Sequence, residues 1–141
     1  MSARSKARKR ALDVLYAADA RDADPLAVLA ERIDSAATAE AGPLGEYAEA
    51  LVRGYAAHAD RIDDLLGEHA EGWTVQRMPA VDRAILRIAV YELVYSDDVP
   101  PAVAVDEAVE LAKSLSTDNS PRFINGLLGQ ILTIAPQLRS V

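Results

Sequence analysis

Apolar residues along this chain recur at three- and four-residue intervals, the period of helices with one buried face. In the first segment Ala7, Ala11, Val14, Leu15 and Ala18 form one arc. Lys6, Lys9 and Arg10 fall on the opposite arc with Asp13 and Tyr16, and Arg8 lies nearer the apolar boundary. Asp24-Pro25 reads as an N-cap followed by proline at the first helical position, and Leu26, Leu29, Ala30 and Ile33 supply the face of a second helix. An Ala-rich stretch then runs to a break at Gly42-Pro43. From Leu44 to about Leu66 the positions Leu44, Ala48, Leu51, Tyr55, Ile62 and Leu65 follow a heptad-like seam. That seam predicts one long helix as the spine of the fold, with a coiled coil as the weaker alternative. Gly54 in its middle costs about 1 kcal/mol relative to Ala, so a close helix crossing is expected there.

Trp73-Thr74 opens the next break, and Pro79 starts a helix whose apolar residues (Val81, Ile85, Leu86, Ile88, Ala89, Val90, Leu93, Val94) cover most of its circumference. Such a helix belongs at the centre of the fold. Pro100 and Pro101 cannot continue it. A further helix is expected over Val105 to Leu115, with Val105, Ala108, Val109, Ala112 and Leu115 inward. Ser120-Pro121 repeats the cap-then-proline signal and opens a last helix from Arg122 to about Ile134, with Phe123, Leu127, Ile131 and Ile134 along one side. The pattern predicts an all-α protein: a single compact bundle of about six to seven helices, residues 1–141 forming one domain. Its basic N-terminal helix covers about 4–21 and its C-terminal helical region about 79–134.

Composition agrees with packed helices. Half of the residues are hydrophobic, yet Phe and Trp occur once each. The absence of cysteine excludes disulfides, thiolate metal sites and cysteine nucleophiles. No apolar run approaches the roughly 20 residues that span a bilayer, and no signal-peptide pattern opens the chain, so a cytoplasmic protein is expected. Phosphate-loop, dinucleotide-binding, zinc-protease and nucleophile-elbow motifs are all missing, so no enzyme, cofactor or metal is expected. His58 and His69, three turns apart on one long helix, are too distant for one metal and read as surface residues. Asp63-Asp64 reads as a solvated helix face.

Charge changes the picture most. Residues 1–12 carry Arg4, Lys6, Arg8, Lys9 and Arg10 and no carboxylate, whereas the remaining 129 residues hold 10 Lys and Arg against all 22 Asp and Glu. Cations at a helix N-terminus oppose the macrodipole, by roughly 0.3–1 kcal/mol each. Local rules broken by several residues together point to a ligand, and a basic segment on an acidic body points first to nucleic acid. The alternative is a solvated arm.

Three stretches resemble the NusB family of transcription antitermination factors: ARKRALDVLYAADAR (7–21), PAVDRAILRIAVYELVY (79–95) followed by Asp98-Val99-Pro100, and VAVDEAVELAKSLSTDNSPRFINGLLGQI (103–131). The resemblance covers most of the chain and is weakest between about 22 and 72. It implies an RNA-binding protein that recognises the boxA element of ribosomal RNA transcripts together with ribosomal protein S10 (NusE). It further implies an indirect link to other Nus factors and RNA polymerase, with no membrane partner and no reaction catalysed. A free-standing factor is expected rather than the NusB-like domain fused to some RNA methyltransferases. The alternative function is a protein-binding helical scaffold or a homo-oligomer such as a homodimer.

Carried residue by residue, the resemblance places Arg4, Lys6, Arg8, Lys9 and Arg10 in the arginine-rich RNA-binding motif, although Ser5 and Lys6 stand where the family often has arginine. Tyr16 matches the aromatic of the family's Leu-Tyr pair and serves either to stack on a base or as a half-buried edge of the core. Asn119, Ser120, Arg122 and Phe123 match the loop and helix start beside the basic helix. Asn119 and Ser120 serve equally as caps, and Phe123 is either a stacking platform or core. Asp82 and Arg87 are candidate contacts to RNA or S10, with a first-turn dipole role the alternative for Asp82. A tight helix crossing is expected at Gly126.

Overall fold

A computed structural model describes residues 2–36 and 42–139. Seven α-helices are found among them: α1 (Ala3–Arg21), α2 (Pro25–Ala36), α3 (Glu46–Ala57), α4 (Ala59–His69), α5 (Ala80–Val94), α6 (Pro101–Leu115) and α7 (Ser120–Arg139), with a 3-10 turn over Val75–Arg77. Most of the Ala-rich stretch before Gly42 lies outside the described residues.

Local chemistry sets most helix ends. The Ser2 hydroxyl accepts the Ser5 N–H at 3.1 Å and caps α1. Asp22 ends that helix in the left-handed region (φ 50°), a conformation that Asp tolerates better than most residues, and its N–H reaches the Ala18 and Asp19 carbonyls. Asp24 accepts the Leu26 N–H at 2.9 Å, so the expected cap of α2 is present. On α2, however, Val28 and Leu29 point inward while Leu26 and Ala30 are exposed. Helix α6 begins at Pro101, four residues before the expected start, because proline at the first helical position gives up a donor that has no partner there anyway. Its inner face uses Leu111, and Leu115 is exposed.

The predicted spine is two helices. At His58 the backbone leaves helical geometry (φ −127°, ψ 25°), closing α3 and opening α4. The seam had already skipped a turn between Tyr55 and Ile62, where no apolar residue larger than alanine stands. The His58 ring stacks on Tyr95, with centroids 3.7 Å apart, and His69 lies within 3.3 Å of Gln130, so neither histidine is a free surface group.

Helix α5 is central, as its all-round apolar pattern predicts. It packs against α1, α3, α4, α6 and α7, and one continuous core draws residues from all seven helices. The crossing expected at Gly54 is present: a Cβ there would lie 2.2 Å from the Tyr91 ring. Gly126 is exposed with no atom within 4 Å of a Cβ, so no crossing explains it. The inner seam of α7 runs through Ile124, Leu127, Leu128, Ile131 and Ala135, one step round from the predicted side, which leaves Phe123 at the edge of the core.

Candidate nucleic-acid interface

Helix α1 presents its predicted apolar arc to the core, and its cations divide into three environments. Lys6 and Arg10, one turn apart, are exposed and carry no ion pair among the described residues. Lys9 is partly exposed and reaches Asp13 at 2.9 Å, an i,i+4 pair of the weak surface kind. Arg4 takes Asp98 at 2.6 Å and lies 4.3 Å over the Tyr47 ring, in a contact that remains open to solvent.

Arg8 is different. It is 3% exposed, and its Nε and Nη2 each donate to the Glu92 carboxylate at 2.9 Å, while Nη1 stands 3.5 Å from Glu107. The Tyr47 hydroxyl donates to the same Glu92 carboxylate. Burial and this hydrogen bond push the Tyr47 phenol above its ordinary range. The expectation that Arg8 faces a ligand is therefore corrected. A guanidinium near the apolar boundary of α1 meets a buried carboxylate on α5, and the fork geometry of Arg satisfies both oxygens.

The outward groups do not form one strip. Ser5 donates to Glu107 of α6 at 2.7 Å, which sets the α6-facing edge of α1, and Lys9 and Tyr16 follow along it one and three turns on. Arg21 pairs with Glu31 of α2 at 2.6 Å and marks the opposite edge, with Arg10 beside it and Lys6 between the two edges. Tyr16 is 43% exposed, more open than a half-buried core ring.

The second cluster is the corner joining α6 to α7. Asp82, in the first turn of α5, is buried and accepts hydrogen bonds from Ser116 at 2.5 Å and Ser120 at 2.9 Å. Thr117 lies 2.9 Å from the Ser120 hydroxyl. Asp82 and Ser120 therefore hold the loop in place rather than standing free on the surface, a correction to both as independent contacts. Asn119 and Arg122 are exposed, and Arg122 has no ion pair among the described residues. Phe123 is half-buried and meets the ring of Trp73 at 6.3 Å between centroids, tilted by 49°. Trp73 is 48% exposed. A cavity of about 330 Å³ opens between these rings and Pro79 on one hand and Thr117, Asn119, Ser120 and Asp82 on the other.

Sequence reasoning treated Trp73 only as the start of a break. A lone tryptophan in a helix–helix connection, where burial is hardest, was the available signal.

Arg87 also turns inward. It is 12% exposed and donates to Asp63 and Asp19 at 3.0 Å, while Arg83 donates to Asp19 at 2.8 Å. This network ties α1, α4 and α5 together. It corrects two expectations, that Arg87 reaches a partner and that Asp63 is a solvated face. Among the described residues, no three His, Asp or Glu side chains are grouped to hold a metal ion.

Exposed cations, two accessible aromatic rings and an apolar cavity can bind a flexible polyanion with planar groups. Residues 5–133 match the NusB family model. The chain belongs to the NusB family. Within that family it is 60% identical over 141 residues to the transcription antitermination protein NusB of Saccharopolyspora erythraea, an alignment covering 99% of this chain and 93% of that one. Among solved structures it resembles T. maritima NusB with a TM-score of 0.83 and 33% identity, covering 99% of this chain and 98% of the other. It also resembles a chain in a structure of the antitermination factors NusB and NusE in complex with dsRNA, with a TM-score of 0.77 and 28% identity over 92% of this chain and 96% of that one.

Proposed function

We propose that this chain is an RNA-binding transcription antitermination factor that binds the boxA element of ribosomal RNA transcripts together with ribosomal protein S10 (NusE) and promotes antitermination by RNA polymerase. The observation that carries this reading is the 60% identity, over nearly the whole chain, to a protein named for transcription antitermination. The role is one of binding and assembly. It belongs in the cytoplasm, and no described helix is long and apolar enough to cross a membrane.

In this reading Lys6, Lys9, Arg10 and Arg122 neutralise phosphates, with Arg4 joining when its exposed pair with Asp98 opens. Tyr16, Asn119 and Phe123 meet bases. Arg8, Ser120, Asp82 and Arg87 act indirectly, by holding α1 and the α6–α7 corner in place. Five available cations bound the slope of log affinity against log salt at about −3.5, at roughly −0.7 per phosphate on a single strand.

The test is binding of a labelled boxA RNA and a scrambled control, with and without S10, at two salt concentrations. Preference for boxA that strengthens with S10 and weakens with salt is expected. Equal binding of both RNAs under all conditions would overturn the reading.

A further inference from the structure

We propose that Asp98 competes with RNA for Arg4: its carboxylate occupies the guanidinium in the free protein, and RNA must displace it before the first turn of α1 can meet a phosphate. The inference rests on the RNA-binding reading above and adds to it a built-in restraint on the basic helix.

The start of α1 shows why a carboxylate stands there. A helix N-terminus favours negative charge, yet the first turn of α1 has no acidic residue and carries Arg4. Two carboxylates from outside the helix fill that place. Glu107 of α6 accepts the Ser5 hydroxyl at 2.7 Å, and Asp98, in the connection between α5 and α6, accepts Arg4 Nη2 at 2.6 Å. They differ in how firmly they are held. The Glu107 side chain is 25% exposed and also lies 3.5 Å from Arg8, beside the buried anchor. The Asp98 side chain is 65% exposed and that of Arg4 43%, so water and salt reach both partners. Of the two carboxylates, Asp98 is the one that an incoming phosphate can replace.

Both partners of this pair are positioned before they meet. Val99 is buried, and Pro100 and Pro101 restrict the backbone after it, which fixes where Asp98 stands. Arg139 of α7 donates to the Ser96 carbonyl at 2.5 Å and anchors the same connection. The Ser96 hydroxyl donates to one Asp98 oxygen at 3.1 Å and leaves the other for Arg4. Arg4 lies 4.3 Å over the Tyr47 ring, whose hydroxyl is tied to Glu92. The Arg4 hydrogen bond holds the Asp98 carboxyl below the usual carboxylate range, so the competitor is charged at neutral pH.

Exposed ion pairs are weak, so Asp98 lowers RNA affinity without abolishing it. Salt screens this pair as it screens the contact with RNA. In the wild type the two losses partly cancel, and the salt dependence of binding is flattened.

The test is binding of labelled boxA RNA by the full-length protein over a range of salt concentrations. The variants are Asp98→Asn, Asp97→Asn and Arg4→Gln, with each Asp substitution also made in the Arg4→Gln background. Asp97 controls for net charge, since it is the preceding residue, is fully exposed and lies 3.5 Å from Arg139 instead. Asp98→Asn should tighten binding roughly 2- to 5-fold more than Asp97→Asn at low salt, and should steepen the slope by up to about 0.7. That excess should vanish in the Arg4→Gln background, because it is a coupling between residues 4 and 98. Asp98→Ala, which leaves no amide oxygen for Arg4, should gain at least as much as Asp98→Asn.

Equal gains from Asp97→Asn and Asp98→Asn, or an Asp98→Asn gain that survives Arg4→Gln, would overturn the competition and leave the RNA-binding reading standing. Absence of boxA binding by the wild type at low salt would overturn both.

Discussion

Arg8 and Arg10 stand two residues apart in one basic motif and do opposite things. Arg10 is exposed and without an ion pair among the described residues, whereas Arg8 is 3% exposed and clamped on Glu92. Two residues turn a helix through about 200°, so neighbours in such a motif end on opposite sides. The comparison shows that a run of cations is not a unit of binding. Part of the motif anchors the helix so that the rest can be presented.

The largest effect should come from breaking the anchor. Arg8→Ala leaves Glu92 buried without its partner and should cost about 3–5 kcal/mol in denaturant unfolding. Arg10→Ala, on the exposed side, should stay within about 0.5 kcal/mol of wild type. Equal losses in the two variants would erase the distinction. It is sharpened by Arg8→Met/Glu92→Met, which removes both buried charges and should recover much of the stability lost in Arg8→Ala.

A second inner position should be nearly as intolerant. Gly54→Ala forces a methyl against the Tyr91 ring and should cost about 1–3 kcal/mol by overpacking, read as a lower midpoint at unchanged m-value. An unchanged midpoint would mean that the α3–α5 crossing has slack.

On the outer side the effects move from folding to binding. Lys6→Ala and Arg10→Ala should each flatten the salt dependence of RNA affinity by about 0.7 in slope, with little change in stability. A steep slope that survives both substitutions would put the phosphates elsewhere. The smallest effect is expected at Asp13. Removing its i,i+4 partner in Asp13→Ala should cost about 0.3–0.5 kcal/mol. It should also free Lys9 and tighten RNA binding at low salt, and weaker binding in this variant would contradict a role for Lys9 in phosphate contact.

These contrasts also mark what was legible. The arc Ala7, Ala11, Val14, Leu15 and Ala18 is buried as its spacing predicted, and α5 occupies the centre. Asp24 caps α2 and Ser120 opens the last helix, whereas α6 begins at Pro101, ahead of the expected Val105. The straight helix through His58 was misread, since a heptad-like seam with one missing turn looks continuous until Tyr95 is known to sit beneath the break. At the site, Lys6, Arg10 and Tyr16 lie outward as helical spacing requires. Arg8 and Arg87 do not, because their carboxylates come from other helices. Trp73 went unrecognised because its neighbour Phe123 lies 50 residues further along the chain.

The sequence by itself determined the helical class, several helix ends and the inner side of α1 and α5, since these follow from spacing and from hydrogen bonds only a few residues long. Its motifs also pointed to the family. Only the tertiary structure decided which charges are used up inside the fold and which rings share a cavity. Those outcomes depend on groups 50 to 84 residues apart meeting out of water, where a charge must be paired and an aromatic corner can form.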